Sequence, residues 1–360
     1  MRDRLSNNPQ DTSSSEMNSD GKIVPHFRYG KPIDSYRLKR DLDKAESLKN
    51  AEAFSRAIVP GQALICCPLC GEKNRSHLCH VYGFAYVECS RCGSAYVENP
   101  PSESDISAAY RSDYYTAANN VLLANRNVID YRLQAVARPK VAFALEYAKR
   151  GARRWLDIGC GVGEILAAAK EHGLETLGIE TNRMEADFAR DNFKLDVVEK
   201  YIDASNLGEF QGFDVISLFS VIEHVPDPSA LLETIAKLQG AGESLVIETP
   251  HFPSVSAFSQ IAFPDLVNRM MHPPLHLFLF SLTAIEMLLG RHGYRIKAAW
   301  MFGQDFYEFL STMAIMAPIS GTRLQSAFAA LTNEFQLSID NAGLSDEMLL
   351  VAERLPGDRL

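Results

Sequence analysis

No apolar run in this 360-residue chain approaches the ~20 residues that a membrane-spanning helix needs. The greasiest stretch, Leu275 to Leu289, is interrupted by His276, Ser281, Thr283 and Glu286. Positive charge is in deficit too: 36 basic against 45 acidic side chains leave −9. That balance argues against broad electrostatic binding to nucleic acid or to an anionic membrane, though not against a local basic patch. The start of the chain has Arg2 and Arg4 but no apolar segment behind them, so a secretory signal is not expected. Cysteine is scarce and odd in number. Seven are too few for a disulfide scaffold at this length and suit a reducing, cytoplasmic setting. No internal repeat is visible. What is present is 46% hydrophobic residues, enough for a sizeable core in one large domain or two to three smaller ones.

Residues 1–21 are rich in Ser, Asn and Asp and read as a disordered tail. Residues 22–60 read as a polar helical arm, with one helix expected over Tyr36 to Ile58 and Pro60-Gly61 ending it. Between 22 and 49 eight basic residues face four acidic ones, the basic stretch of the chain, which a solvated helix or extended arm explains without a partner. Residues 61–101 hold six of the seven cysteines, four of them in two CxxC pairs, and 102–150 read as an aromatic-rich helical lid or linker. Past Gly151 the texture changes. Short apolar runs at 153–158, 175–180, 213–219 and 244–250 alternate with segments of helical spacing. Such alternation implies an α/β domain, a parallel sheet with helices on both faces.

The strings CPLCG (67–71) and CSRCG (89–93) give two CxxC pairs separated by 18 residues. Four thiolates at this spacing, each pair on a tight turn, close a tetrahedral zinc site through Cys67, Cys70, Cys89 and Cys92. Gly71 and Gly93 supply the positive φ that lets backbone amides face the sulfurs. Four cysteines leave no open coordination position, so the zinc reads as structural, stabilising a ribbon too small to fold alone. Cys66, Cys79, His77 and His80 are nearby non-ligands. Residues 61–100 carry three basic and three acidic side chains, which gives the ribbon no electrostatic footprint for nucleic acid.

After the first strand comes LDIGCGVGEIL (156–166), a strand, a glycine-rich turn and a helix. That layout places a nucleotide-like ligand at the carboxyl end of a parallel sheet. Glu164 stands where a dinucleotide fingerprint has its third glycine, and Asp157 would repel a pyrophosphate. A carboxylate beside a glycine-lined groove suits a cationic ligand such as S-adenosylmethionine. Glu180 ends the second strand and can take both ribose hydroxyls. Taken with FDVISLFSVIEHVPDP (213–228), these motifs resemble the class I S-adenosylmethionine-dependent methyltransferases, in particular the ubiquinone-biosynthesis-like small-molecule subgroup, over roughly 140–300. The ribbon followed by YRSDYY (110–115) further resembles bacterial methyltransferases of sugar and cell-surface polysaccharide pathways.

The resemblance implies a Rossmann-like seven-stranded methyltransferase sheet over 151–360, preceded by the zinc ribbon, with a helical insertion at about 304–344. It also implies that Asp157, Gly159, Cys160, Gly161 and Gly163 line the methionine end of the cofactor. Glu180 would hold the ribose with Thr181 beside it, Asp203 and Ala204 would meet the adenine, and Phe219 and Ser220 would face the methyl group. Asp157 as a helix cap and Glu180 as a solvated strand end are the plain alternatives. Methyl transfer is mostly positioning, with a base required where the nucleophile must lose a proton. His224 with Glu223, and His276, are the catalytic candidates. His251 is a third histidine near the site, and each of the three has a structural reading as well. Some relatives with E-x-x-E-H bind a divalent metal there; Ser220 replaces the first Glu, so magnesium is not predicted. The expected activity is methylation, foremost on oxygen, of a small polar acceptor such as a sugar or sugar nucleotide. The alternatives are an RNA or protein methyltransferase using the ribbon as reader, and a cofactor-binding subunit without catalysis. Nucleic acid is not favoured as a partner, and a homodimer stays open.

Overall fold

The computed structural model describes residues 25–357 except 31–32, 39–43, 111–125, 204, 265, 267–268 and 318–320. The expected tail at 1–21, Ala204 and all of YRSDYY beyond Tyr110 lie outside the described residues. Among the described residues twelve strands form two sheets. The larger contains β1 (His26–Tyr29), β5 (Arg154–Ile158), β6 (Glu175–Ile179), β7 (Val197–Val198), β8 (Val215–Phe219), β9 (Ser244–Pro250), β11 (Tyr294–Phe302) and β12 (Glu347–Arg354). The smaller contains β2 (Arg75–Val81), β3 (Phe84–Cys89), β4 (Ala95–Val97) and β10 (Phe278–Leu279).

The large sheet runs β1-β11-β12-β9-β8-β5-β6-β7. Strands β5 to β9 are parallel, β12 is antiparallel to both its neighbours, and β1 is parallel to β11. Seven of these strands lie after Gly151, the number expected there. The eighth is a correction to the sequence reading: four residues of the arm, HFRY, add to the β11 edge, pairing His26 with Ala298 through Tyr29 with Met301. The arm is helical at Ser35–Leu38 and Lys44–Arg56, and Ala51 and Ser55 on the second helix are fully buried. It is therefore packed against the body rather than solvated on all sides.

Residues of β8 and β9 are buried along nearly their whole length (VISLF, SLVIETP), as a central strand covered on both faces requires. Two hydrophobic clusters occupy the faces. One contains Leu156, Ile216, Leu245 and Leu350; the other Trp155, Leu166, Val246 and Trp300. Residue alternation along β5 explains the division, since Trp155 and Leu156 point to opposite sides. Helices enter the site with clean caps: Asn182 accepts from the Met184 and Glu185 amides, and Asp227 precedes Pro228 at the first helical position. The lid contains a helix at Glu103–Tyr110 and a continuous helical run over Arg126–Tyr147, with a π-helical turn at Leu133–Ala137 next to Pro139. Proline cannot donate to the preceding turn, and that defect accounts for the bulge. Three helices, Asp305–Met316, Arg323–Ala330 and Thr332–Asn341, fill the insertion between β11 and β12.

The ribbon is not a separate bead on the chain. Its sheet runs β10-β4-β3-β2, and β10 comes from the methyltransferase-like part, some 180 residues downstream of β4. One apolar cluster, including Tyr86, Tyr96, Phe278, Phe280 and Ile216, runs through both.

Candidate active site

The cofactor side is built from neighbouring strand ends. The glycine loop leaves β5 with positive φ at Gly159, Gly161 and Gly163. A Cβ at Gly159 would lie 2.6 Å from Val221, and one at Gly163 would lie 2.5 Å from Leu195, so both need glycine for close packing as well as for backbone angle. Next to Gly161 the nearest such contact is Glu185 at 3.8 Å, which keeps that part of the loop open to a ligand. Cys160 is buried, with its sulfur against the β6 backbone at Gly178 and 3.8 Å from the Gly161 carbonyl.

Glu180 is set by backbone amides: Oε2 accepts from Gly161 N at 2.9 Å and Oε1 from Asn182 N at 2.7 Å. Each oxygen keeps a lone pair for a diol, the geometry a ribose clamp needs. Asp157 is almost fully buried, and its Oδ1 accepts from Ser217 Oγ at 2.6 Å. Ser217 in turn accepts from Trp155 Nε1 at 2.7 Å. Burial pushes the Asp157 carboxyl up to about 7, against the Ser217 hydrogen bond and helped by the charges of Glu180 and Glu248. Glu185 is likewise pushed up to about 8 by burial and by Glu180. Carboxyls crowded together in this way gain from a cationic ligand, and the residues fit S-adenosylmethionine. Thr181 is exposed beside Glu180, and exposed Asp203 turns its carboxylate onto the Ser205 amide at 2.7 Å.

Phe219 and Ser220 close β8. Ser220 has φ +53°, a left-handed angle costly for a non-glycine residue and often found where a site imposes it. Beyond it, Glu223, His224 and His276 come together, with one ligand atom from each lying within 4.8 Å of the others. His224 Nδ1 lies 2.8 Å from the Leu275 carbonyl, and His276 Nδ1 lies 2.8 Å from the Met270 carbonyl. A carbonyl only accepts, so both Nδ1 atoms carry the proton and both Nε2 atoms carry a lone pair. Burial lowers both imidazoles, His224 to about 4, which keeps them neutral at pH 7. Glu223 is fully buried; Oε2 accepts from Thr249 Oγ1 at 3.1 Å, and Oε1 has no hydrogen-bond partner, His224 Nε2 standing 3.6 Å away. Burial pushes its carboxyl up to about 8. Two imidazole lone pairs thus converge beside a carboxyl that holds its proton up to about pH 8. Such a set can take a proton from a bound hydroxyl or hold a divalent cation. His251, by contrast, is buried with Nδ1 against the Ser345 carbonyl at 2.9 Å and stands outside this trio.

In the ribbon the four expected cysteines form one cluster, with Cys67 and Cys92 sulfurs 3.8 Å apart and those of Cys70 and Cys89 3.4 Å apart. A tetrahedral centre with metal–sulfur bonds of ~2.3 Å has sulfur–sulfur edges of about 3.8 Å. The sulfurs accept backbone amides: Leu69 and Cys70 toward Cys67, Glu72 toward Cys70, Ser94 toward Cys92. Hydrogen bonds from Cys67 and Ser94 lower the Cys92 thiol to about 5. The donor set fits a metal that prefers four thiolates. Cys79 is buried against Met271 and belongs to the core instead.

Several residues near the loop escaped the sequence reading. Arg132, on the lid run, holds Glu164 with contacts of 2.7 and 2.9 Å at the first turn after the loop. Lys140 forms a buried 2.6 Å ion pair with Glu248 beside Phe219. Neither pairing has a spacing signal, because both join elements far apart in sequence. Ser217 did have one: a lone hydroxyl in the apolar run VISLF.

Residues 129–299 match a family model described as Methyltransferase domain. With the glycine-loop geometry above, this segment is a class I S-adenosylmethionine-dependent methyltransferase domain. Within that class it is similar to ubiquinone biosynthesis O-methyltransferases. It is 28% identical over 160 residues to that of Methylococcus capsulatus, covering 43% of this chain and 68% of the relative. It is 25% identical over 142 residues to that of Hahella chejuensis, covering 38% and 60%. The match to Psychrobacter arcticus spans 55% of that relative's length. Among solved structures, magnesium protoporphyrin IX methyltransferase from Synechocystis PCC 6803 aligns at TM-score 0.47 and 13% identity, over 70% of this chain and all of that one. A methyltransferase from Archaeoglobus fulgidus aligns at 0.41 and 23%, over 60% and 92%. No helix among the described residues is long and apolar enough to cross a membrane.

Proposed function

We propose that the chain methylates an oxygen of a small polar acceptor, with a sugar or sugar nucleotide the foremost candidate, and that its ribbon carries one structural zinc. When bound, S-adenosylmethionine supplies a methyl group already activated by its sulfonium. Glu180 would hold the ribose, and Asp157 would lie toward the methionine ammonium. The observation that carries the reading is the assembly of Glu223, His224 and His276 beyond the methyl-facing end of β8, with both Nε2 atoms unprotonated. A hydroxyl acceptor must shed a proton as it is methylated, and His224 Nε2 is a neutral acceptor ready to receive it. His276 and Glu223 would then share or stabilise the imidazolium. O-methyl transfer also agrees with the relatives' names, and a sugar acceptor rests on the resemblance of the ribbon and YRSDYY to polysaccharide-pathway enzymes. Four thiolates leave no free coordination position, which supports a structural role for the zinc. The neutral ribbon gives no support to an RNA acceptor.

Labelled S-adenosylmethionine incubated with native extract, followed by identification of the labelled product, tests the acceptor. A labelled small molecule supports the reading. Label in RNA or protein, or no label despite tight S-adenosylhomocysteine binding, would replace it with one of the alternatives.

A further inference from the structure

The segment HPPLHLFLFS (272–281) carries His276 yet has only two residues of regular structure. Its position is fixed from two sides. On one side it is tied to the methyl-transfer site: Leu277 N donates to the Glu223 carbonyl at 2.9 Å, and Phe280 N to the Pro250 carbonyl at 3.0 Å. On the other it is tied to the ribbon. Leu277's own carbonyl accepts from Val97 N at 2.9 Å, and β10 pairs Phe278 with Tyr96 and Leu279 with Ala95. The fully buried Tyr86 donates its hydroxyl to the His276 carbonyl at 2.7 Å.

The last tie reaches the cysteine cluster itself. Ser281 N donates to Ser94 Oγ at 2.9 Å, and Ser281 Oγ donates to the carbonyl of Cys92 while accepting from Ala284 N as the cap of helix Leu282–Arg291. At the far end of that helix Arg291 donates to the Leu69 carbonyl, in the other cysteine turn, at 2.6 Å. Both cysteine turns are therefore bonded to the segment that bears His276 or to the helix that follows it. The cofactor strands β5 and β6 have none of these bonds.

We infer that the ribbon is a positioning element for the acceptor side of the site: its bound metal holds residues 276–281, and through them His276, against Glu223 and His224. The inference rests on the zinc reading above and gives the ribbon a task other than reading a polymer. A ribbon this small folds by virtue of its metal, so metal loss should release the segment while the parallel sheet persists.

Hydrogen–deuterium exchange on the native protein, before and after removal of its metal by a thiophilic chelator, tests this. Amides of 276–281 should exchange at least about tenfold faster after removal, while those of 154–158 and 215–219 keep their protection. S-adenosylhomocysteine affinity should change by less than about threefold. Undiminished protection of 276–281 in the stripped protein would overturn the inference, and so would loss of protection throughout the sheet, or a native protein containing no metal. Tyr86→Phe gives a second reading that keeps the cysteines: full metal content with faster exchange confined to 276–279 supports the tie, and unchanged exchange opposes it. If the native protein fails to bind S-adenosylhomocysteine, the cofactor reading falls while the exchange comparison still stands.

Discussion

The two halves of the candidate site are built differently. The cofactor half is local: Asp157, the glycine loop and Glu180 fall within 24 residues, at the ends of two adjacent parallel strands joined by that loop and one helix. The acceptor half is assembled from distant places, with Glu223 and His224 just after β8, His276 about fifty residues on, and Tyr110 edge-on to His224 from the lid. The ribbon, starting far upstream, braces the whole. A local motif carries its own geometry in sequence spacing. An assembled site depends on every element that packs behind it, so damage to one half should leave the other measurably intact.

Glu180→Ala offers the largest expected separation. It removes a carboxylate that accepts from two backbone amides, leaves the Gly161 and Asn182 N–H groups unpaired, and deletes the ribose partner. A loss of about 2–4 kcal/mol in S-adenosylhomocysteine affinity, some hundredfold, is expected by calorimetry. The acceptor-side trio should remain as it is. A tenfold or smaller loss would mean that Glu180 is only a loop brace.

Glu223→Gln tests the opposite half with a smaller effect. Its Oε1 has no hydrogen-bond partner, and the substitution keeps the shape while removing the capacity to gain or lose a proton. Turnover is expected to fall by about ten- to a hundredfold, with cofactor affinity within about twofold. If affinity for the cofactor fell in step with turnover, the two halves would not be separable in this way.

The difference in construction also explains what the sequence could reveal. Strand–helix alternation and the LDIGCGVGEIL turn made the sheet and the cofactor loop legible, because each is encoded within one or two elements. The cysteine pairs were legible for the same reason. The histidines could be named but not joined: nothing in the spacing of 224 and 276 shows that two carbonyls, of Leu275 and Met270, turn their Nε2 atoms inward. The eighth strand was missed because HFRY has too few residues for a period and belongs to a segment that reads as polar. β10 was missed because FL is two residues of a longer apolar run, paired across a gap of some 180 residues.

The smallest expected effect is a pH dependence that separates folding from binding within the cofactor half. The Asp157 carboxyl is raised from 3.8 to about 7, chiefly by burial. A folded-state value above the unfolded one means that the native protein holds the proton more tightly. Asp157 therefore contributes its stability below about pH 4, and that contribution declines as pH rises from there to about 7. Binding has the opposite sign, because the methionine ammonium favours the ionised carboxylate, which is about 10% populated at pH 6 and about 90% at pH 8. Cofactor affinity should accordingly rise by up to about tenfold between pH 6 and 8, while the melting temperature of the ligand-free protein falls over part of the same range. Asp157→Asn isolates the group, since Glu223 and His224 titrate in both proteins. The variant should bind weakly with a flat pH profile. An equally steep profile in Asp157→Asn would assign the proton to another group, with Glu185, raised to about 8 beside the same loop, the next to examine.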